Sequence, residues 1–172
     1  FDRLARIHAH LRAEGFPVIA IPGASALLTA LSCSSFGGDP FLFLGFLPSS
    51  RSHRRKSLAG LQSLPWNLVF YESPLRLKDC LSDICAILGD RTVFMGRELT
   101  KHFEETLEDS AGNLLAKLQD RDLKGEITLI VAGISQRDTP AVELSVAIEQ
   151  AKKLALAEGI SKKESLPAER VS

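Results

Sequence analysis

The chain has 172 residues, of which 45% are hydrophobic and 24% charged, and its formal net charge is zero. This apolar content is sufficient for a core of ordinary domain size, whereas the balanced charge gives no overall field that attracts nucleic acid or acidic membranes. No apolar run reaches the roughly 18 residues of a membrane span, and no signal peptide is recognisable, so we expect a cytoplasmic protein. The three cysteines match no zinc spacing and are typical of reduced core residues, so we expect no metal.

The N-terminal segment predicts a helix followed by a strand. Residues 2–14 have the apolar spacing of an amphipathic helix that stops at Gly15, and residues 16–21 form an apolar run typical of a buried strand. The chain opens at Phe1, directly before this helix and without an initiating methionine. We therefore expect a fragment of a longer protein.

A Pro-Gly turn follows the predicted strand and leads into a helix of small and apolar residues over positions 24–34, with Ser25 as its N-cap. Small residues at such a turn allow a ligand to approach the backbone, and the free N–H groups of the helix start attract an anion. A tight connection that only needs small residues explains the pattern equally well.

A strongly apolar strand is predicted over residues 41–47, and the helix after it begins at Ser49 or Ser50. This helix carries four consecutive or near-consecutive cations: Arg51, Arg54, Arg55 and Lys56. Like charges three and four residues apart repel, so the cluster destabilises the helix unless an anion neutralises it. No acidic residue occurs between Asp39 and Glu72. The cluster by itself is typical of a solvated basic face, and the functional alternative is a contact for nucleic-acid phosphates.

The central stretch, residues 67–101, has the pattern of two strands joined by a helix. A strand is predicted over residues 67–71, and a helix follows with Ser73 as N-cap, Pro74 as first residue and Gly89 at its end. The second strand is predicted over residues 91–96. Parallel strands joined in this way collect their functional groups at their carboxyl ends.

Charged residues follow both of these strands. Glu72 ends the first, while Arg97, Glu98 and Lys101 follow the second. This edge of the sheet is where we expect a site.

The remaining sequence predicts a strand over residues 102–110, a helix near 112–119, and a buried strand over 127–133 that is apolar enough to be covered on both faces. A long helix is predicted from Thr139 to residue 158, with a short helix after it. The fold class is therefore α/β, a three-layer sandwich with a mostly parallel or mixed five-stranded sheet.

Five motifs occur in the order found in the tetrapyrrole methylase superfamily: residues 21–26 (IPGASA), 45–48 (GFLP), 70–77 (FYESPLRL), 97–101 (RELTK) and 124–126 (KGE). The chain most resembles the bacterial branch that methylates a ribose 2′-oxygen of small-subunit ribosomal RNA. The resemblance implies S-adenosylmethionine bound between two α/β domains. It assigns residues 1–21 to the end of the first domain, 22–136 to the second, and 137–172 to a helical extension.

The resemblance also implies site residues. Cofactor contacts are expected at Ala24, Ser25, Ala26, Tyr71, Ala132 and Gly133. A ribose hydroxyl needs a base to take its proton or a cation to stabilise the developing oxyanion. Glu98 or Glu72 is the candidate base, and Lys101 or Arg97 the candidate cation. Because the glycine-rich first half of the cofactor cleft precedes Phe1 in the family, we expect the isolated chain to bind the cofactor weakly and to be inactive.

Three functions remain open from the sequence. The first is 2′-O-methylation of ribosomal RNA, which the basic helix favours; the second is methylation of a small tetrapyrrole or corrin precursor. The third is a non-catalytic domain that only pairs with a partner. The resemblance further implies a homodimer.

Overall fold

The computed structural model describes residues 2–19, 21–36, 39–134, 149 and 153. Its helices are α1 (Asp2–Ala13), α2 (Ala26–Cys33), α3 (Arg51–Gly60), α4 (Pro74–Leu88) and α5 (Ala111–Leu118). Its strands are β1 (Phe41–Phe46), β2 (Asn67–Glu72), β3 (Thr92–Arg97), β4 (Glu105–Ser110) and β5 (Ile127–Val131). No helix among the described residues is both long and apolar enough to span a bilayer.

The five strands form one mixed sheet in the order β1-β2-β5-β3-β4. Strands β1 and β2 are parallel, whereas β5 runs antiparallel to both β2 and β3, and β4 runs antiparallel to β3. The α/β class and the mixed sheet are confirmed, but the largely parallel sheet is not. Helix α4 still connects two strands of the same direction, because β5 lies between β2 and β3 and opposes both.

Helices cover both faces of the sheet, as the three-layer prediction requires. Helices α3, α4 and α5 pack on one face around residues such as Leu68, Phe70 and Leu129. Helix α2 packs on the other, against Val69 and Ile130. These two sets alternate along β2 and β5 because successive strand residues point to opposite faces. All five residues of β5 are buried, which confirms the prediction of a covered central strand.

The N-terminal boundaries of α2 and α4 follow the predicted turn chemistry. Ser25 and Ser73 occupy the N-cap positions, although neither side chain accepts a capping hydrogen bond. Pro74 opens α4, where its missing N–H costs no hydrogen bond. Gly89 ends α4 at φ 86°, a conformation that favours glycine. Ser110 caps α5 by accepting a hydrogen bond from the Asn113 N–H at 3.3 Å.

Two sequence predictions of strands are wrong. Residues 16–19 and Ile21 are not in a strand, and Phe16, Ile19 and Ile21 are 59%, 81% and 88% exposed. An apolar run becomes a strand only where another strand pairs with its backbone, and none of the described strands does so here. Strand β4 starts at Glu105 rather than at residue 102, because residues 102 and 103 form a turn. The predicted helix from Thr139 to residue 158 lies outside the described residues except Glu149 and Lys153, which are helical.

Candidate functional site

A cleft of about 470 Å³ opens at the edge where β2 ends and β5 begins. Its lining is mainly apolar and comes from four parts of the chain, with Ala26, Phe46, Tyr71, Ser73, Gly125 and Thr128 among its residues. The volume is in the range of small-molecule sites, which are concave and largely apolar with a few polar groups.

The mixed sheet explains why these residues meet. In the register of the sheet, Ile127 of β5 is the partner of both Glu72 of β2 and Arg97 of β3. The carboxyl ends of β2 and β3 therefore lie on either side of the start of β5. Because β5 is antiparallel, the residues just before it, Gly125 and Glu126, complete the cleft wall. The cleft lies at the end of β2, the first of the two helix-linked strands, whereas its lining includes no described residue of β3 or of the loop after it. The predicted site residues stay predictions.

Aromatic side chains form one side of the cleft. The ring of Tyr71 packs edge-on against Phe43, with centroids 5.1 Å apart, and at a tilt against Phe46, with centroids 5.6 Å apart. Phe46 is 63% exposed although it is a large apolar residue. This aromatic surface at the cleft suits an apolar or cationic ligand group.

The loop after β3 forms a network of charges with the segment before β5. One backbone hydrogen bond joins the two segments: the Glu98 N–H donates to the Glu126 carbonyl at 2.9 Å. In return, the Glu126 N–H donates to the Glu98 carboxylate at 2.7 Å, and the Lys101 ammonium lies 3.0 Å from both carboxylates. We call Glu98, Lys101 and Glu126 the wall network.

The wall network requires unusual backbone geometry. Glu98 and Thr100 have φ angles of 49° and 66°, and Gly125 has φ 98°. Non-glycine residues with positive φ cost energy and are concentrated at functional sites. A Cβ on Gly125 would overlap the Glu98 side chain, so glycine is needed here for space as well as conformation.

Electrostatics in the wall network keep both ions charged. The hydrogen bond from the Glu126 N–H, with help from Lys101, lowers the pKa of Glu98. The hydrogen bonds to Glu126 and then Glu98 raise the pKa of Lys101. A lowered pKa makes Glu98 a weaker base than an ordinary glutamate, whereas Lys101 is a well-held cation.

Arg97, the second candidate cation, has structural partners. Its guanidinium donates to Glu105 at 2.9 Å and to the Lys124 carbonyl at 3.3 Å. Glu105 also receives two hydrogen bonds from Arg121. Arg97 therefore joins β4 to the segment that precedes β5.

Glu72, the second candidate base, points into the layer of α3 and α4. It lies on the same face of β2 as Phe70, and its side chain has no exposed surface. One carboxylate oxygen lies 2.6 Å from the Arg76 guanidinium and accepts the Ser73 N–H at 2.7 Å. Glu72 is nevertheless among the residues that line the cleft, and its bonds to Arg76 and Ser73 attach α4 to the end of β2.

The predicted cofactor residues do not all meet. Ala26 and Tyr71 line the cleft, and Ala24 and Ser25 directly precede Ala26 at the start of α2. Ala132 and Gly133 follow β5, and Val131 pairs with Leu68 near the start of β2, four residues or about 14 Å along the strand from Ile127.

Gly133 has a structural explanation at that opposite edge. Its N–H donates to the Asn67 side chain at 3.0 Å, and a Cβ would overlap the Pro65 carbonyl. Ala132 and Gly133 therefore lie toward the opposite edge of the sheet from the end of β2, and cofactor contact at these two residues stays a prediction of the resemblance.

The three arginines of the basic cluster on α3 form ion pairs within the protein, whereas the sequence predicted that their counter-ion comes from outside. Arg54 lies 2.7 Å, Arg55 2.8 Å and Arg51 3.4 Å from the Asp83 carboxylate of α4. The Asp83 side chain is fully buried and that of Arg54 is 3% exposed. Arg51, Arg55 and Lys56 keep exposed or partly exposed side chains. The sequence analysis considered only acidic residues near the arginines in the chain and missed Asp83, because Asp83 lies on another helix, α4.

Two parts of the site were missed from the sequence. Gly125 and Glu126 belong to the KGE motif, but no role was predicted for them because the direction of β5 was unknown. Asp83 was also missed, although it lies three residues after Cys80 on the buried face of α4, where a charge requires a partner. Among the described residues, no group of three or more His, Cys, Asp or Glu side chains is arranged to hold a metal.

Curated relatives carry one recurrent description. The chain is 43% identical over 127 residues to "Ribosomal RNA small subunit methyltransferase I" of Halalkalibacterium halodurans, covering 74% of this chain and 44% of that protein. It is 42% identical over 146 residues to the protein of the same name from Escherichia coli O157:H7, covering 81% and 51%. The chain thus spans about half the length of the curated relatives it matches.

Two solved structures share the fold at low identity. The methyltransferase CobJ matches with a TM-score of 0.55 and 15% identity, covering 80% of this chain and 59% of CobJ. Cobalt precorrin-4 methyltransferase CbiF, a cobalamin biosynthetic enzyme, matches with a TM-score of 0.56 and 12% identity, covering 75% and 57%. The family model of Tetrapyrrole (Corrin/Porphyrin) Methylases matches residues 1–115, and the chain therefore belongs to that family.

Proposed function

We propose that the gene product carrying this chain is an S-adenosylmethionine-dependent methyltransferase that acts on a ribose 2′-oxygen of small-subunit ribosomal RNA. The observation that carries this proposal is the sequence identity to relatives named as small-subunit ribosomal RNA methyltransferases. The identity is 42% over 81% of the chain for the Escherichia coli protein and 43% over 74% of the chain for the Halalkalibacterium halodurans protein. The solved neighbours support the fold alone.

The cleft residues fit the cofactor by their chemistry. When bound, S-adenosylmethionine supplies an activated methyl group on a sulfonium cation. Phe46 and Tyr71 offer aromatic faces, which attract cations, and Ala26 leaves room for close approach to the start of α2. Glu126 supplies a carboxylate at the wall, with 85% of its side chain exposed. Ala26, Tyr71 and Glu126 are therefore the residues proposed to hold it.

Lys101 is the proposed catalytic cation. Its side chain is 48% exposed, whereas that of Arg97 is 18% exposed. A fixed cation near a ribose hydroxyl stabilises the oxyanion that develops as the proton leaves. Glu98 positions Lys101 and Glu126, and its lowered pKa disfavours it as the base.

The basic surface of α3 supports RNA as the substrate. Arg51, Arg55 and Lys56 have exposed or partly exposed side chains that phosphates can reach. They follow closely in the chain after β1, whose last residue, Phe46, lines the cleft. Phe46 lines the cleft and Arg51 follows five residues later, so their Cα atoms are at most about 18 Å apart. A strand of a few nucleotides spans such a distance.

Methyl transfer tests the proposal directly. The gene product, S-adenosylmethionine and unmethylated small-subunit RNA should yield a 2′-O-methyl nucleotide, detected as a linkage that resists alkaline hydrolysis. Lys101→Ala should lower kcat by about 10²-fold or more, since one electrostatic group is lost at the reacting oxygen. The matched control is Lys117→Ala, which removes another half-exposed lysine paired with a carboxylate, Asp109. Methyl transfer to a tetrapyrrole precursor alone, or to nothing, would contradict the proposal.

We also propose a cytoplasmic homodimer, which the implied RNA substrate and the resemblance support. Light scattering of the gene product at high concentration should return twice the monomer mass. A monomer mass would contradict the dimer and leave the methyl-transfer proposal untouched.

A further inference from the structure

The three arginines of α3 differ in burial although they share one carboxylate. Arg54 and Asp83 are buried together, with the Nε and Nη2 atoms of Arg54 at 2.9 and 2.7 Å from the same carboxylate oxygen. The other oxygen accepts from Arg55 at 2.8 Å and lies 3.4 Å from Arg51. The side chains of Arg51 and Arg55 remain 70% and 43% exposed.

One carboxylate does not neutralise three guanidinium groups, so within the part of the chain that the structure describes two positive charges remain uncompensated. Among the described residues, no second carboxylate forms an ion pair with these arginines, although Asp79 is exposed on α4 one turn before Asp83. Lys56 adds a further exposed cation. The excess positive charge is therefore located on the exposed side chains of Arg51, Arg55 and Lys56, whereas the negative charge of Asp83 is buried.

Asp83 also restricts the conformations of the two exposed arginines. A free arginine side chain loses rotamer entropy when it binds a phosphate, at a cost that weakens binding. Here one N–H of each guanidinium is directed toward the interior, while a guanidinium has five N–H donors in a fixed fork. Donors that do not bond Asp83 are available to an oxyanion from outside.

We propose that Asp83 and Arg54 form a buried support that holds Arg51 and Arg55 as a preorganised site for two phosphates of the RNA backbone. This inference rests on the proposed function for the identity of the RNA, and assigns separate roles within the cluster. Arg51 and Arg55 contact phosphates. Asp83 and Arg54 are positioning residues that never touch the RNA.

The salt dependence of binding distinguishes these roles. Each phosphate contact on a single strand contributes about 0.7 to the slope of log affinity against log salt concentration. In the gene product, Arg51→Ala combined with Arg55→Ala should make the slope shallower by about 1.4. The control, Arg6→Ala combined with Arg12→Ala, removes two exposed arginines of α1 and should leave the slope unchanged.

Asp83→Asn gives the decisive result. It removes no cation, so the slope should stay at the wild-type value, whereas affinity for a fluorescent single-stranded RNA should fall about tenfold because both arginines lose their restraint. Methyl transfer should show a raised KM for RNA with kcat nearly constant. A purely structural role would move neither affinity nor KM at a temperature where circular dichroism shows the variant folded.

Arg54→Met provides a second variant in case Asp83→Asn does not fold. It removes a buried cation, and the slope should again stay unchanged if Arg54 does not contact phosphate. A shallower slope for Arg54→Met, or unchanged or tighter RNA binding by Asp83→Asn, would overturn the inference. Wild-type protein that fails to bind the RNA would overturn it too. If the wild type binds RNA but transfers no methyl group to it, only the proposed function fails.

Discussion

The wall network and the arginine cluster of α3 are both groups of charged residues, but they differ in burial. The side chain of Lys101 is about half exposed and that of Glu126 is largely exposed, whereas Asp83 and Arg54 are enclosed between α3 and α4. Exposed ion pairs contribute little to stability because water competes for both partners. A buried pair is different, since removal of one partner leaves an uncompensated charge in the interior. Similar ion pairs should therefore differ in their contribution to stability, which is expected to be small in the wall network and large between α3 and α4.

The largest effect is expected from Asp83→Ala. This change leaves the buried Arg54 guanidinium without its carboxylate, so the free energy of unfolding should fall by about 3–5 kcal/mol. Urea denaturation measures the loss. The control, Asp79→Ala, removes an exposed carboxylate from the same helix and should change stability by no more than about 0.5 kcal/mol. Equal effects for the two variants would end the distinction between buried and exposed charge.

Gly125→Ala tests the backbone beneath the wall network. The residue has φ 98°, and the added Cβ would displace the Glu98 side chain from the Glu126 N–H. We expect a loss of about 1–3 kcal/mol in the free energy of unfolding, together with weaker binding of S-adenosylmethionine by calorimetry.

Gly89→Ala is the matched control for this change. Gly89 has a similar φ of 86°, but nothing lies within 4 Å of its Cβ position. It should lose stability from backbone strain alone and leave cofactor binding intact. Weaker cofactor binding in both variants would show that strain at any glycine, rather than the wall network, affects the cleft.

The smallest effect is expected in the dependence of the unfolding free energy on pH below neutrality. Burial alone would raise the pKa of Asp83, but hydrogen bonds from Arg55, Arg54 and Arg51 hold it below the ordinary value. The unfolded chain therefore binds the proton more readily, and stability from Asp83 is present above the unfolded pKa of about 3.9 and lost as pH falls below it. Asp83→Asn should flatten the dependence of unfolding free energy on pH in that window. An unchanged dependence would show that Asp83 is not its source.

Much of the local structure could be predicted because it depends on near neighbours. The spacing of Leu77, Leu81 and Ile84, with Ser73-Pro74 before them and Gly89 after, predicted α4. The apolar run that forms β5 predicted a central strand. The prediction of a site at the ends of β2 and β3 came from the helix that joins them, and a cleft lies at the end of β2. Each of these depends on short-range periodicity and turn chemistry.

The direction of β5 could not be predicted in the same way. Its apolar run suits a parallel or an antiparallel strand, and only pairing with β2 and β3 selects the second. That choice brings Gly125 and Glu126 to the cleft and takes Ala132 and Gly133 to the opposite edge. The domain boundaries at residues 21 and 136 stay predictions.

The sequence by itself determined the family motifs, the helix caps and the charges available for chemistry, because these are properties of the chain and its near neighbours. Only the tertiary structure decided which charges are free and which are paired. Asp83 is 28 to 32 residues from the arginines that it contacts, and Glu126 is 28 residues from Glu98. Contacts between such distant residues depend on how strands and helices pack, and no local pattern of residues specifies that packing.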